Sequence, residues 1–182
     1  AGRRVQLKTH PNSSPSIREE NGRRIYKWQH KNLERAADKE EEAKAKPKKK
    51  AEKKPETPAI QLTTFQSWDE VGRWYGPLVR ERTVAGEDVR AKAVELTQDR
   101  STPAQKAEAL YDFVAKNYRY VSLSFGLGRY QPHAASEVFA NRYGDCKDKH
   151  TLLAALLSAA GLEAYPVLIS TSRKIDPDVP SP

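Results

Sequence analysis

Apolar and polar residues alternate in two short stretches near the start of the chain, residues 5–9 and 24–30. In the second, Ile25, Lys27 and Gln29 alternate with Tyr26, Trp28 and His30, so a strand here would gather its aromatics on one face. Asn21-Gly22 just before it is a turn signal, and the two runs predict a hairpin or two edge strands. Two strands alone are marginal in water. Residues 1–34 therefore read as the β-strand remnant of a preceding β-rich domain, or as a piece packed on the rest. Residues 35–58 interleave Lys, Glu, Ala and Pro without apolar periodicity and predict a charged linker.

From residue 59 the pattern becomes helical. Ser67 with Glu70 reads as a capping box for a short helix carrying Trp68, Val71, Trp74 and Tyr75 and ending at Gly76-Pro77. Residues 88–98 predict a second helix through Val89, Ala93, Val94 and Leu96. Thr102, Pro103 and Gln105 supply an N-cap, a first-turn proline and a box partner. They open a helix in which Ala107, Leu110, Tyr111, Val114 and Tyr118 recur at helical spacing. Residues 120–125 predict a strand, Gly126, Gly128 and Pro132 a loop, and residues 134–141 another helix. Beyond Tyr143-Gly144, residues 151–160 are apolar nearly all round, the pattern of a central helix that starts at Cys146 and stops at Gly161. Residues 164–171 predict a strand packed on it, with Pro166 tolerated near the strand start.

Composition narrows the function classes. The 182 residues contain one Cys, which excludes a disulfide framework and a Cys-rich zinc site, and four scattered His offer no metal-ligand spacing. No metal and no cofactor is predicted; Gly126-Leu127-Gly128 lacks the third glycine and the strand-to-helix setting of a dinucleotide site. The net charge of +8 suggests nucleic acid until it is divided: residues 1–58 hold 17 basic and 9 acidic side chains, the remainder 15 of each. The excess is N-terminal, much of it in the lysines between residues 44 and 54, where no aromatics interleave to stack on bases, so no nucleic-acid partner is predicted. No apolar run approaches the ~20 residues of a membrane span.

Cys146 carries the candidate chemistry. At the start of a helix its sulfur meets unpaired backbone N–H groups and the positive end of the macrodipole, a setting that favours a nucleophilic thiolate. Lys147 and Lys149 add positive charge, offset in part by Asp145 and Asp148. The same amides could bind an oxyanion as an acyl group is attacked. The competing reading of position alone is a small buried core residue.

Four strings, Tyr-Arg-Tyr-Val-Ser-Leu (118–123), Gly-Arg-Tyr-Gln-Pro-His-Ala-Ala (128–135), Tyr-Gly-Asp-Cys-Lys-Asp-Lys-His (143–150) and Ala-Gly-Leu-Glu-Ala-Tyr-Pro-Val-Leu-Ile (160–169), closely resemble the bacterial transglutaminase-like proteins. The resemblance covers about residues 60–182 and is nearest to the subgroup with an N-terminal β-rich domain. It implies an α+β, papain-like or transglutaminase-like core over residues 59–182, in which the Cys-bearing helix packs on an antiparallel sheet behind the β-hairpin remnant. It also implies a Cys-His-Asp triad with Cys146 as nucleophile. The family takes its His and Asp from later strands, and the sequence ends 36 residues after Cys146. The expectation is an incomplete core, inactive as it stands.

Other site residues follow from the same strings. Gln131 is a candidate oxyanion donor. His133 is expected to be structural in a loop near the cleft, and Tyr143 and Asp145 to line the site. His150, four residues after Cys146, is expected to be a packed, hydrogen-bonded residue rather than a substitute base. His10 and His30 are assigned no chemistry. The function read from this is thiol-dependent acyl transfer on a peptide or protein substrate, at peptide or glutamine amides. Peptidase-like hydrolysis is favoured over cross-linking. The alternative is a non-catalytic module binding a peptide or envelope protein. The resemblance further implies a periplasmic, secreted or envelope-associated location, and an open sheet edge predicts self-association.

Overall fold

The computed structural model describes residues 4–9, 13–29, 60–122, 126–169 and 175–182. The predicted linker, His10 and His30 lie outside them. The chain forms two compact units, residues 1–67 with 169–182, and residues 68–168.

In the first unit β1 (Gln6–Thr9) pairs antiparallel with β4 (Ile60–Thr63), Leu7 opposite Leu62, and β2 (Ser16–Glu20) pairs with β3 (Arg23–Lys27). Asn21 and Gly22 close the hairpin with φ of 51° and 70°, the left-handed pair a two-residue turn demands. The two runs singled out by alternation therefore do not pair with each other. The fully exposed β2, Ser-Ile-Arg-Glu-Glu, shows little alternation, yet the turn fixes its register on β3. Tyr26 and Trp28 do share a face, their rings 6.2 Å apart. The buried Thr63 hydroxyl donates to the Pro180 carbonyl at 2.6 Å, and Lys8 reaches the Asp176 carboxylate at 2.9 Å.

The second unit holds α1 (Trp68–Arg80), α2 (Glu87–Thr97), α3 (Pro103–Asn117), α4 (Ala135–Asn141) and α5 (Cys146–Ala159). Between them β5 (Arg119–Tyr120) and β6 (Tyr143–Gly144) form a short parallel pair. The first helix does not stop at Gly76-Pro77. Proline forfeits one backbone bond, but Val71, Tyr75 and Val79 recur every four residues on a buried face and carry the helix a turn further. The predicted capping box of α3 is present: Thr102 Oγ1 accepts from the Gln105 amide and Gln105 Oε1 from the Thr102 amide, each at 3.2 Å. Tyr111 of that helix is 60% exposed and leaves the predicted core, while Leu110 and Val114 are buried.

The fifth helix is central, packed against α2, α3 and α4, and Leu152, Ala155 and Leu156 are fully buried with Val89, Leu110 and Val138 around them. Gly161, at φ +77°, ends it as expected. The Gly161 amide returns to the Ser158 carbonyl and that of Leu162 to Leu157, closing a Schellman motif. Two sheet expectations are corrected. Residues 162–169 form no strand, and Tyr165, Val167 and Ile169 are 75%, 78% and 78% exposed. The run has β-forming residues, but among the described residues no neighbouring strand supplies a ladder for it. Here α5 meets three helices and β6 of the short parallel pair. The strand expected at 120–125 shortens to β5, and residues 123–125 lie outside the described set.

Candidate active site

Cys146 is the first residue of α5, and it is exposed, so the buried-core reading of this cysteine is set aside. Asp145 caps the helix: its Oδ1 accepts from the Lys147 amide at 3.1 Å and the Asp148 amide at 3.3 Å. Its other oxygen pairs with the Lys147 ammonium, and both side chains of that pair are nearly buried. Lys149 donates instead to the Tyr118 carbonyl at 3.0 Å. The two lysines counted from sequence as positive charge for the thiol are thus engaged, one by the neighbouring carboxylate and one by the backbone.

Asp148 is the hub beneath the thiol. Only 3% exposed, it accepts from the Asp145 amide through Oδ2 at 3.1 Å and from the His133 amide through Oδ1 at 2.9 Å. His133 Nδ1 lies 3.2 Å from the same Oδ1. Because both oxygens already accept backbone N–H groups, the ring nitrogen acts as the donor, which leaves Nε2 on the outer side of a ring 67% exposed. The predicted structural role of His133 thus has a geometry. The adjacent Gly144 permits it, since a Cβ there would stand 2.5 Å from Asp148 Cβ.

Gln131 is half-buried in the same loop, its amide bound to the Leu127 carbonyl at 2.9 Å and its side chain bonded to none of the described residues. Next to it Tyr130 meets Trp74 of α1 edge-on, ring centroids 5.2 Å apart. Tyr143 on β6 is exposed. The phenol of Tyr75, beside Trp74, is held above its ordinary value by burial first and then by the neighbouring Cys146 and Asp145.

His150 departs from expectation. Its Nε2 is buried without a hydrogen-bond partner among the described residues, and burial holds its imidazole below the ordinary histidine value. The ring lines a cavity of about 420 Å3 between α1, α5 and residues 162–166, shared with Arg80, Ser158 and Tyr165 and not with Cys146. Of the residues singled out from sequence, the structure joins Asp145 and His133 to the Cys146 turn and leaves His150 facing elsewhere. Asp148, Gly144 and Tyr75 were missed as site residues. The Asp-x-x-Asp spacing of a capping box flags Asp148, because an acidic N3 residue reaches back to the N-cap amide. Among the described residues no cluster of His, Cys, Asp and Glu could hold a metal ion, and no helix is long and apolar enough to cross a membrane.

Comparison with known proteins gives this arrangement a context. No curated protein sequence matches the chain significantly. The fold is similar to that of a putative protease from Parabacteroides distasonis, with a TM-score of 0.61 at 16% identity over 87% of this chain. A putative cysteine protease from Cytophaga hutchinsonii aligns over 48% of the chain at 22% identity with a TM-score of 0.38. The aligned part spans 29% of the length of each of those two proteins. At the level of sequence, residues 90–176 match the model of the transglutaminase-like superfamily, a stretch that contains Gln131, His133, Cys146 and Asp148. Residues 90–176 of this chain are therefore similar to the transglutaminase-like superfamily, on a mixed helix-and-sheet fold of the kind seen in the Parabacteroides protein.

Proposed function

We propose that Cys146 is the nucleophile of a thiol-dependent acyl transfer on peptide or glutamine amides, with hydrolysis of the thioester favoured over transfer to an amine. The observation that carries the reading is an exposed thiol at the first position of a capped helix inside the stretch similar to the transglutaminase-like superfamily. Asp145 takes the Lys147, Asp148 and Lys149 amides, so the Cys146 amide is the N–H of that first turn assigned to a tetrahedral oxyanion, and the Trp74–Tyr130 pair beside Gln131 is assigned to receive the acyl chain. Water needs only access to a thioester, whereas cross-linking needs a channel for an amine. The protease designation of the similar fold leans the same way. The partner is accordingly a peptide or protein substrate, and an envelope or extracellular setting is part of the reading.

Amide turnover further requires an imidazole to protonate the leaving amine, typically 10²–10⁴-fold in rate. The described residues bring none into hydrogen-bond contact with Cys146, so acylation is tested apart from amide turnover. The test is acylation by p-nitrophenyl acetate, whose leaving group needs no acid. The reading expects a stoichiometric burst of p-nitrophenolate that outpaces a free-cysteine peptide at the same pH and vanishes in Cys146→Ala. It also expects thioester decay that added primary amine does not accelerate beyond its effect on a simple thioester in solution. A burst no faster than the peptide's overturns it.

A further inference from the structure

We propose that Asp148 is a positioning residue for acyl transfer at Cys146. Its buried carboxylate fixes the Gln131–His133 loop against the turn that bears the thiol, and so places the loop's hydrogen-bond donors at the developing oxyanion. The inference rests on the acyl-transfer reading of Cys146 and extends it to a residue that does not touch the reacting atoms.

The geometry is specific. Cys146 and Asp148 are the first and third residues of α5, about 3 Å apart along its axis and within its first turn, so whatever Asp148 grips is held against the turn that carries the sulfur. It grips three donors from two segments: the Asp145 amide at 3.1 Å, the His133 amide at 2.9 Å and His133 Nδ1 at 3.2 Å. A cap alone would need only the first. The other two reach fifteen residues back along the sequence, to a loop that meets α1 through Tyr130 and Trp74 and that these two bonds tie to the first turn of α5. Position 144 is glycine, and any Cβ there would collide with Asp148. The half-buried Gln131, two residues from the anchored His133 amide, carries a side-chain N–H donor on the same loop.

The step this serves is balanced in electrons and atoms. The Cys146 thiolate attacks an acyl carbon, an S–C bond forms and the carbonyl π pair moves to oxygen. Collapse restores C=O and expels the leaving group with its bonding pair, leaving a thioester on Sγ. Donors held by the loop act only on the oxygen that gains charge, so they affect acylation and not attack on an alkyl halide, where no oxyanion forms.

That difference defines the experiment on the 182-residue chain. Second-order rates of Cys146 acylation by p-nitrophenyl acetate and of alkylation by iodoacetamide are measured across pH 6–9 in wild type, Asp148→Asn, Asp148→Glu and His133→Ala. Amide hydrogen exchange at His133 is measured in the wild type and the Asp148 variants. An Asn offers one acceptor oxygen where three donors converge, so one backbone N–H is orphaned. The expected result for Asp148→Asn is a fall in acylation of about tenfold or more, alkylation within about twofold of wild type at every pH, and about tenfold faster exchange at His133. His133→Ala, which keeps the backbone amide bond, loses less, and Asp148→Glu recovers part of the acylation rate. Equal falls in both rates, or no fall in acylation with unchanged exchange, overturn the proposal. If wild-type acylation only matches a free-cysteine peptide, the acyl-transfer reading fails by itself. The anchoring of the loop is then decided by exchange at His133, and unchanged exchange refutes it.

Discussion

Replacing Gly144 with Ala tests the packing under the thiol most sharply. The added Cβ would lie 3.0 Å from Asp148 Oδ2 and 2.5 Å from Asp148 Cβ, the latter at least 1 Å inside ordinary carbon–carbon contact of about 3.5–4.0 Å. Relief by rotating Asp148 is closed off, because its two oxygens hold the Asp145 and His133 amides at 3.1 and 2.9 Å. The backbone of β6 or the first turn of α5 has to move instead, and overpacking of this kind costs about 1–3 kcal/mol. Urea unfolding followed by circular dichroism reads it directly. In an Asp148→Gly background, which removes the Cβ itself, the clash loses its partner, so the Gly144→Ala penalty should shrink by about 1 kcal/mol or more. Gly72→Ala is the internal control: it sits inside α1, where an added Cβ would meet nothing within 4 Å, and should gain about 0.5–1 kcal/mol of stability. A Gly144→Ala cost below about 0.5 kcal/mol, or the same cost with and without the Asp148 side chain, would refute the close-packed hub.

Three further outcomes follow from the same structure. Asp145→Ala removes the acceptor for two amides at the start of α5 and should cost about 1–2 kcal/mol in urea melts, while Asp145→Asn retains most of the cap. Thr63→Val deletes the donor to the Pro180 carbonyl at 2.6 Å and leaves that oxygen buried and unpaired, an expected loss of about 1–3 kcal/mol in the first unit. Burial depresses the folded-state pKa of His150, so as pH falls below the unfolded value of about 6.5 the unfolded chain takes up the proton first and stability declines. The decline continues until pH reaches the folded value. Melting temperatures from pH 7.5 to 5 should drop less steeply in His150→Phe than in wild type, and parallel slopes would contradict the assignment.

What could be read from sequence was what short-range chemistry decides. Thr102, Pro103 and Gln105 specify the start of α3 among themselves, and Asp145 followed by an apolar run specifies α5 and the place of Cys146 at its head. Gly161 ends that helix because only glycine takes its φ without strain. The misses lie where distant partners decide. The β1 strand pairs with β4 across more than fifty residues, a choice no local alternation records. Pro77 reads as a stop, yet burial of Val79 outweighs it. Residues 162–169 have strand propensity and no ladder to join. In the site, Cys146 was legible because its residue type and position coincide. Asp148 was read only as an offsetting charge, because its second partner, His133, comes from another element.

The account stands on a covalent acyl group on Cys146. After reaction with p-nitrophenyl acetate, quenching in acid and proteolysis, peptide-mapping mass spectrometry should find one acetyl group, on the peptide containing Cys146, removed by hydroxylamine as a thioester is. The Cys146→Ala chain should carry none. An unmodified Cys146 peptide, or acetyl groups confined to lysines and resistant to hydroxylamine, would contradict the assignment of this thiol as the nucleophile.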